Sequence, residues 1–151
     1  MSPAEPVVVE EVTTVTPDVV EALGALVPEL SSSAPVVTAA AVAEIVRSPT
    51  TILLVARDDR GQIVGSLTLV VFTAPTGPRA WIEDVVVRSR VRGRGVGAAL
   101  VHAALARAAA AGSRTVDLTS RPSREAANRL YVRLGFVQRE TNVYRFAHGA
   151  P

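Results

Sequence analysis

The chain has 151 residues, 48% of them hydrophobic and 20% charged, which suits one globular domain spanning 1–151 and is too apolar for disorder. All 16 basic residues are arginine, so a lysine Schiff base, a pyridoxal-phosphate enzyme and a Walker A loop are excluded. Cysteine is absent, which removes disulfides, thiolate nucleophiles and cysteine-ligated metals. His102 and His148 stand far apart in sequence, so no metal is expected.

Residues 1–6 read as a loose N-terminus, and Ser-Pro-Ala-Glu-Pro after Met1 has neither the charge nor the apolar run of a signal peptide. No apolar stretch reaches the roughly 18 residues of a membrane span, so a soluble, cytoplasmic protein without membrane contact is expected. The β-branched run Val7–Thr14 predicts a strand. Thr16-Pro17 opens a helix to about Leu26, and Thr38 caps a second one from Ala39 to Arg47, stopped by Pro49. A polar loop containing Ser31–Ser33 separates the two helices. Thr51–Arg57 and Gln62–Phe72 flank Asp58-Asp59-Arg60-Gly61, the pattern of a hairpin. Thr73–Arg79, with two prolines and a glycine, reads as a loop before a strand at Ala80–Val87. A long alanine-rich helix follows over Gly95–Ala111, then a strand at Thr115–Thr119 and a helix at Ser123–Leu134. Phe136–Glu140 and Val143–Ala147 read as two closing strands. The order β-α-α-β-β-β-α-β-α-β-β predicts an α/β (α+β) fold. Its hairpins and its strand–helix–strand crossover require a mixed sheet with flanking helices.

The net charge of +2 conceals a polarity. Residues 1–84 carry 11 acids and 4 arginines; residues 85–151 carry 12 arginines and 3 acids. That balance suggests a polyanion at the C-terminal half, either a phosphorylated cofactor or nucleic acid.

The most informative stretch runs from Val85 through Arg92-Gly93-Arg94-Gly95-Val96-Gly97-Ala98. A strand ends, glycines alternate and a long helix begins, with arginines at 88, 90, 92 and 94 around the junction. Helix N-termini offer unsatisfied N–H groups and partial positive charge to phosphate, and glycines let the backbone come close. Two motifs fit. Gly93-x-Gly95-x-x-Ala98 matches a dinucleotide fingerprint, with Asp117 about twenty residues on. That fingerprint should follow its strand immediately, whereas five residues separate Val87 from Gly93.

The other motif, Arg92-x-x-Gly95-x-Gly97, resembles the coenzyme A pyrophosphate motif of the GNAT superfamily of N-acetyltransferases. The element order and the block Ala127-x-x-x-Tyr131-x-x-Leu134-Gly135-Phe136 resemble that family too, most specifically over residues 80–136. The resemblance implies acetyl-CoA as co-substrate, a primary amine as acceptor, and a homodimer through the C-terminal strands. Gly93, Arg94, Gly95, Val96, Gly97 and Ala98 would present the pyrophosphate loop, with Arg92 anchoring it. The pantetheine arm would pair with the backbone of Val85, Val86 and Val87, and a strand N–H would polarise the thioester carbonyl. Tyr131 resembles the general acid for the departing thiolate. A phenol of pKa about 10 stays protonated at pH 7, above a thiol near 8.5. It equally suits a packing tyrosine on an amphipathic helix.

The family often places an asparagine seven residues before this tyrosine, where Arg124 stands here. Asn128, on the same helix face, is a substitute or simply exposed. An acceptor alkylamine must lose a proton at roughly 4.6 kcal/mol at pH 7, so a base or a water relay is required. Ile82-Glu83-Asp84-Val85-Val86-Val87 resembles the corresponding strand of glucosamine-6-phosphate N-acetyltransferases, making Glu83 the candidate base; Glu83 and Asp84 also suit solvated carboxylates at a strand start. Trp81 lines the acceptor cleft or packs the sheet, and His102 packs within its helix. Without cysteine the acetyl group cannot be parked on a thiolate, so direct attack in a ternary complex is expected. A non-catalytic acyl-CoA-binding domain on the same fold is the alternative. Aromatic residues are only 4%, too few for an obvious base-stacking surface, so no nucleic-acid partner is expected.

Overall fold

Runs of β-branched and aliphatic residues form the sheet on which everything else is hung. In the computed structural model, which describes Ala4 and residues 6–149, β1 (Val8–Glu11), β2 (Thr51–Arg57), β3 (Ile63–Ala74), β4 (Gly77–Val87) and β5 (Val116–Asp117) lie side by side in chain order. The first four are antiparallel and β5 runs parallel to β4, giving the mixed sheet that the element order requires. The helices are α1 (Pro17–Leu30), α2 (Ala39–Arg47), α3 (Val96–Ala110) and α4 (Glu125–Arg133). The chain forms two compact units, one up to Thr119 and one from Ser120 onward. The loose N-terminus expected at residues 1–6 falls mostly outside the described residues.

Local chemistry explains the first unit's element ends. Thr38 Oγ1 accepts from Ala41 N–H at 3.1 Å and caps α2 as its sequence predicts. Thr16 is the N-cap residue of α1, its carbonyl accepting from Val20 N–H at 3.2 Å, but its hydroxyl donates to Asp18 and makes no capping bond. Pro28 cannot donate to the turn before it, yet Ser31 N–H reaches the Val27 carbonyl at 2.9 Å, so α1 continues to Leu30. Asp58 closes the β2–β3 turn by accepting from Arg60 and Gln62 N–H at 3.0 and 2.9 Å. The expected loop at 73–79 is instead a hairpin: Ala74 pairs with Gly77 across two residues, and Gly77 at φ 111° turns the chain.

The sheet buries both faces. Leu53, Val55 and Val86 pack with Val19, Leu26 and Val42 of α1 and α2. On the other face α3 presents the buried Val96, Leu100, Val101, Ala104 and Ala108. Gly65 of β3 sets how closely α3 approaches. A Cβ there would stand 3.0 Å from Leu100 Cδ1, 3.1 Å from Val96 Cγ1 and 3.2 Å from the Val86 carbonyl oxygen. Gly65→Ala is therefore expected to destabilise the fold by about 1–3 kcal/mol through overpacking. A denaturation midpoint equal to that of the parent would contradict this packing.

In the second unit α4 ends in a Schellman motif. Phe136 N–H reaches the Tyr131 carbonyl at 2.9 Å, Gly135 N–H reaches that of Val132 at 3.1 Å, and Gly135 takes φ 97°. The hydrophobic contact of that motif is Tyr131 against Phe136, edge to face at 5.8 Å. The two strands expected over Phe136–Glu140 and Val143–Ala147 are not formed among the described residues. Their alternating apolar side chains find no ladder partner there, and a strand is stable only when paired. Val137, Val143, Tyr144 and Phe146 stand 72–87% exposed.

Candidate active site

The junction between β4 and α3 carries most of the residues singled out by sequence. After Val87 the chain makes a 3-10 turn, Ser89–Val91, and Gly95 precedes α3 in the left-handed region at φ 85°. Gly93 lies there too, at φ 76°. A Cβ on either glycine would meet nothing within 4 Å, so dihedral angles, not neighbouring protein atoms, demand glycine. Val91 and Val96, each 1% exposed, pin the loop on both sides of the glycines. The result is a backbone held at both ends, with open space beside Gly93 and Gly95, that leads into a fifteen-residue helix. Such a cradle suits a phosphate group. Gly97 and Ala98 sit in the first turn of α3, where helical backbone leaves their N–H groups without intrahelical acceptors.

The arginines around this loop divide by role. Arg92 Nε donates to the Val87 carbonyl at 3.2 Å and ties the loop to the strand end. Arg88 Nε donates to the Ile63 carbonyl at 3.1 Å. Arg90 approaches Gln62 Oε1 at 3.5 Å and lies 3.8 Å from the Asp58 carboxylate. Arg88, Arg90 and Arg92 thus brace the loop against the start of β3, the β2–β3 turn and the end of β4, a use that no spacing rule reveals.

On β4 the ladder to β5 holds only Ala80 and Trp81. From Ile82 onward, among the described residues, β4 has no strand partner on that side. Arg88 N–H bonds to the Val64 carbonyl at 2.8 Å, so alternation turns the backbone groups of Val86 toward β3 and those of Val87 toward the open edge, where Arg92 takes the carbonyl. Just before them Leu67 of β3 faces two residues, Asp84 and Val85, in a bulge. Asp84 takes φ 52°, a left-handed conformation that aspartate tolerates better than most side chains. Glu83 and Asp84 are both exposed. The bulge reverses the alternation, so Val86 joins the cluster under α1 and α2 instead of facing α3. Glu83 pairs across from Thr68, and its carboxylate accepts from Trp81 Nε1–H at 2.7 Å.

In the second unit Tyr131 is 7% exposed. Burial pushes its phenol above the ordinary value of 10.0, and the Arg124 guanidinium pulls the other way. Arg124, at the position where the family often has asparagine, therefore acts on this phenol electrostatically. Asn128 uses its amide N–H on the Arg121 carbonyl at 3.0 Å, within the same unit. Among the described residues no three histidine, aspartate or glutamate side chains gather as metal ligands, and no helix is long and apolar enough to cross a membrane.

Comparison with known proteins bears on family and fold. The family model for the acetyltransferase (GNAT) family matches residues 21–136. A putative acetyltransferase from Agrobacterium tumefaciens is 28% identical, with a TM-score of 0.82 over 93% of this chain and 99% of that one. A Bacillus halodurans structure described as a transcriptional regulator is 27% identical, with a TM-score of 0.79 over 94% of this chain and 100% of the other. The aminoglycoside N-acetyltransferase AAC(6′)-Iy, solved in complex with CoA, shares the fold at 17% identity, with a TM-score of 0.80 and 99% of each chain covered. A search of the curated proteins returns no match. With a family model spanning most of its length, the chain belongs to the GNAT family of acetyltransferases, enzymes that use acetyl-CoA.

Proposed function

We propose that the chain acts as one cytoplasmic acetyltransferase domain over residues 1–151, moving the acetyl group of acetyl-CoA to the primary amine of a small molecule, an amino acid derivative or a peptide terminus. The observation that carries this reading is the open cradle of Gly93 and Gly95 at the start of α3, next to the unpaired edge of β4. The N–H groups of Gly93, Arg94, Gly95, Val96, Gly97 and Ala98 hold the pyrophosphate, and Arg92 fixes the loop that presents them. The pantetheine arm lies along Val85, Val86 and Val87 as a missing strand would, bonding the residues whose backbone faces away from β3, and one of those N–H groups polarises the thioester carbonyl. Glu83 removes a proton from the acceptor ammonium, the amine nitrogen attacks the thioester carbonyl carbon, and the C–S bond breaks. Tyr131 gives the thiolate its proton, and Asn128 contacts the cofactor. No nucleic-acid partner is proposed, because Arg88, Arg90 and Arg92 are engaged by protein oxygens. A homodimer through the exposed segment around Val143, Tyr144 and Phe146 is part of the proposal; a monomeric mass in sedimentation would exclude it.

A coenzyme A release assay against a panel of amines tests the reading. Turnover with at least one amine is expected; tight acetyl-CoA binding with no acceptor turned over would establish a non-catalytic acyl-CoA-binding domain instead. With the best amine, Glu83→Gln should be slowed about 100-fold at neutral pH. Its rate should recover as pH nears the acceptor's pKa, where free amine needs no base. A constant deficit across that range would remove Glu83 as the base.

A further inference from the structure

We propose that Trp81 is a positioning residue for Glu83: its indole N–H holds one carboxylate oxygen and leaves the other to the acceptor amine. This rests on the assignment of Glu83 as the base. Trp81 Nε1 stands 2.7 Å from Glu83 Oε1, a short contact between a donor-only group and an acceptor. The two residues are two apart on β4, on the same side of the strand and ahead of the bulge at Asp84.

The ladder explains why Trp81 can serve as a fixed point. It is the last residue of β4 paired on both sides, with Val70 of β3 and Asp117 of β5. Glu83 is paired only with Thr68, at the point where β4 loses β5 and the bulge begins. Glu83 is also exposed, so its side chain would otherwise sample several rotamers. A hydrogen bond from the rigid indole selects one of them. Because an indole N–H donates and does not accept, Trp81 takes no proton itself and leaves Oε2 as the oxygen that receives one. The rate then depends on Trp81 only through Glu83.

Trp81 is the sole tryptophan, so its emission reports this contact without any change to the indole. Glu83→Ala is expected to shift that emission, and an unchanged spectrum would overturn the hydrogen bond. Trp81→Phe keeps an aromatic ring and removes the donor. It should lower kcat about tenfold while leaving the KM for acetyl-CoA in place. In a Glu83→Ala background the same substitution should cost nothing further. An equal further loss in both backgrounds would show that Trp81 acts independently of Glu83. Slow turnover by Glu83→Ala together with wild-type turnover by Trp81→Phe would overturn the positioning role and leave the base assignment standing. A wild-type kcat for Glu83→Ala would instead remove the base assignment, and the positioning role with it.

Discussion

Gly97→Val is expected to leave the domain folded and to weaken acetyl-CoA binding about 100-fold, the loss of roughly two hydrogen bonds to a charged group at about 1.5 kcal/mol each. Gly97 lies in the first turn of α3. A valine there keeps helical dihedrals and is a somewhat better helix former than glycine, so α3 is expected to persist. Its branched side chain would crowd the space that the loop leaves open to phosphate oxygens. Gly95→Val is the harsher variant, because a β-branched residue must also adopt φ 85°. Isothermal titration with acetyl-CoA separates the two effects. Near-parental affinity in a folded Gly97→Val protein would show that pyrophosphate does not sit on this helix start.

Tyr131→Phe should reduce kcat by about 100-fold, at the low end for general acid catalysis because water also protonates so weakly basic a leaving group. The ring stays, so its edge-to-face contact with Phe136 and the C-terminal cap of α4 persist. Acetyl-CoA affinity should change little, since the hydroxyl acts only as the C–S bond breaks. The direction of the pKa shift sets the pH dependence. Burial raises the phenol above 10.0, so it remains a proton donor through the neutral and mildly alkaline range. Stability from the buried neutral phenol is fully present below pH 10 and is lost as pH rises through the raised folded value. A pH–rate profile in which Tyr131→Phe matches the parent throughout would take Tyr131 out of the mechanism.

How legible these features are in the sequence depends on the range of the interactions behind them. Thr38 with Pro49 bounds α2, and the Asp58 turn joins β2 to β3, because both are set within a few residues. The block Tyr131-x-x-Leu134-Gly135-Phe136 is legible twice over, as a family motif and as a helix terminator whose glycine takes φ 97°. The bulge at Asp84 is not legible, because it exists only as a mismatch between β3 and β4. It alone accounts for Val86 turning toward α1 and α2. Arginines 88, 90 and 92 read as a basic cluster, yet their partners on the β2–β3 turn, β3 and β4 appear only when the strands assemble. The bond from Trp81 to Glu83 did have a signal: residues two apart on a strand share a face. For the segment after Phe136, alternation announces strand-forming residues, but pairing requires a partner that periodicity cannot supply.

We propose that acetyl-CoA lies on one continuous surface, the unpaired edge of β4 and the glycine turn before α3. Amide hydrogen exchange measured with and without acetyl-CoA tests it residue by residue. Slowed exchange is expected along Val85–Val87, at the residues that face away from β3, and at Gly93 through Ala98 when the ligand is present. Protection confined to other elements, with both of these stretches exchanging at their free rates, would contradict it.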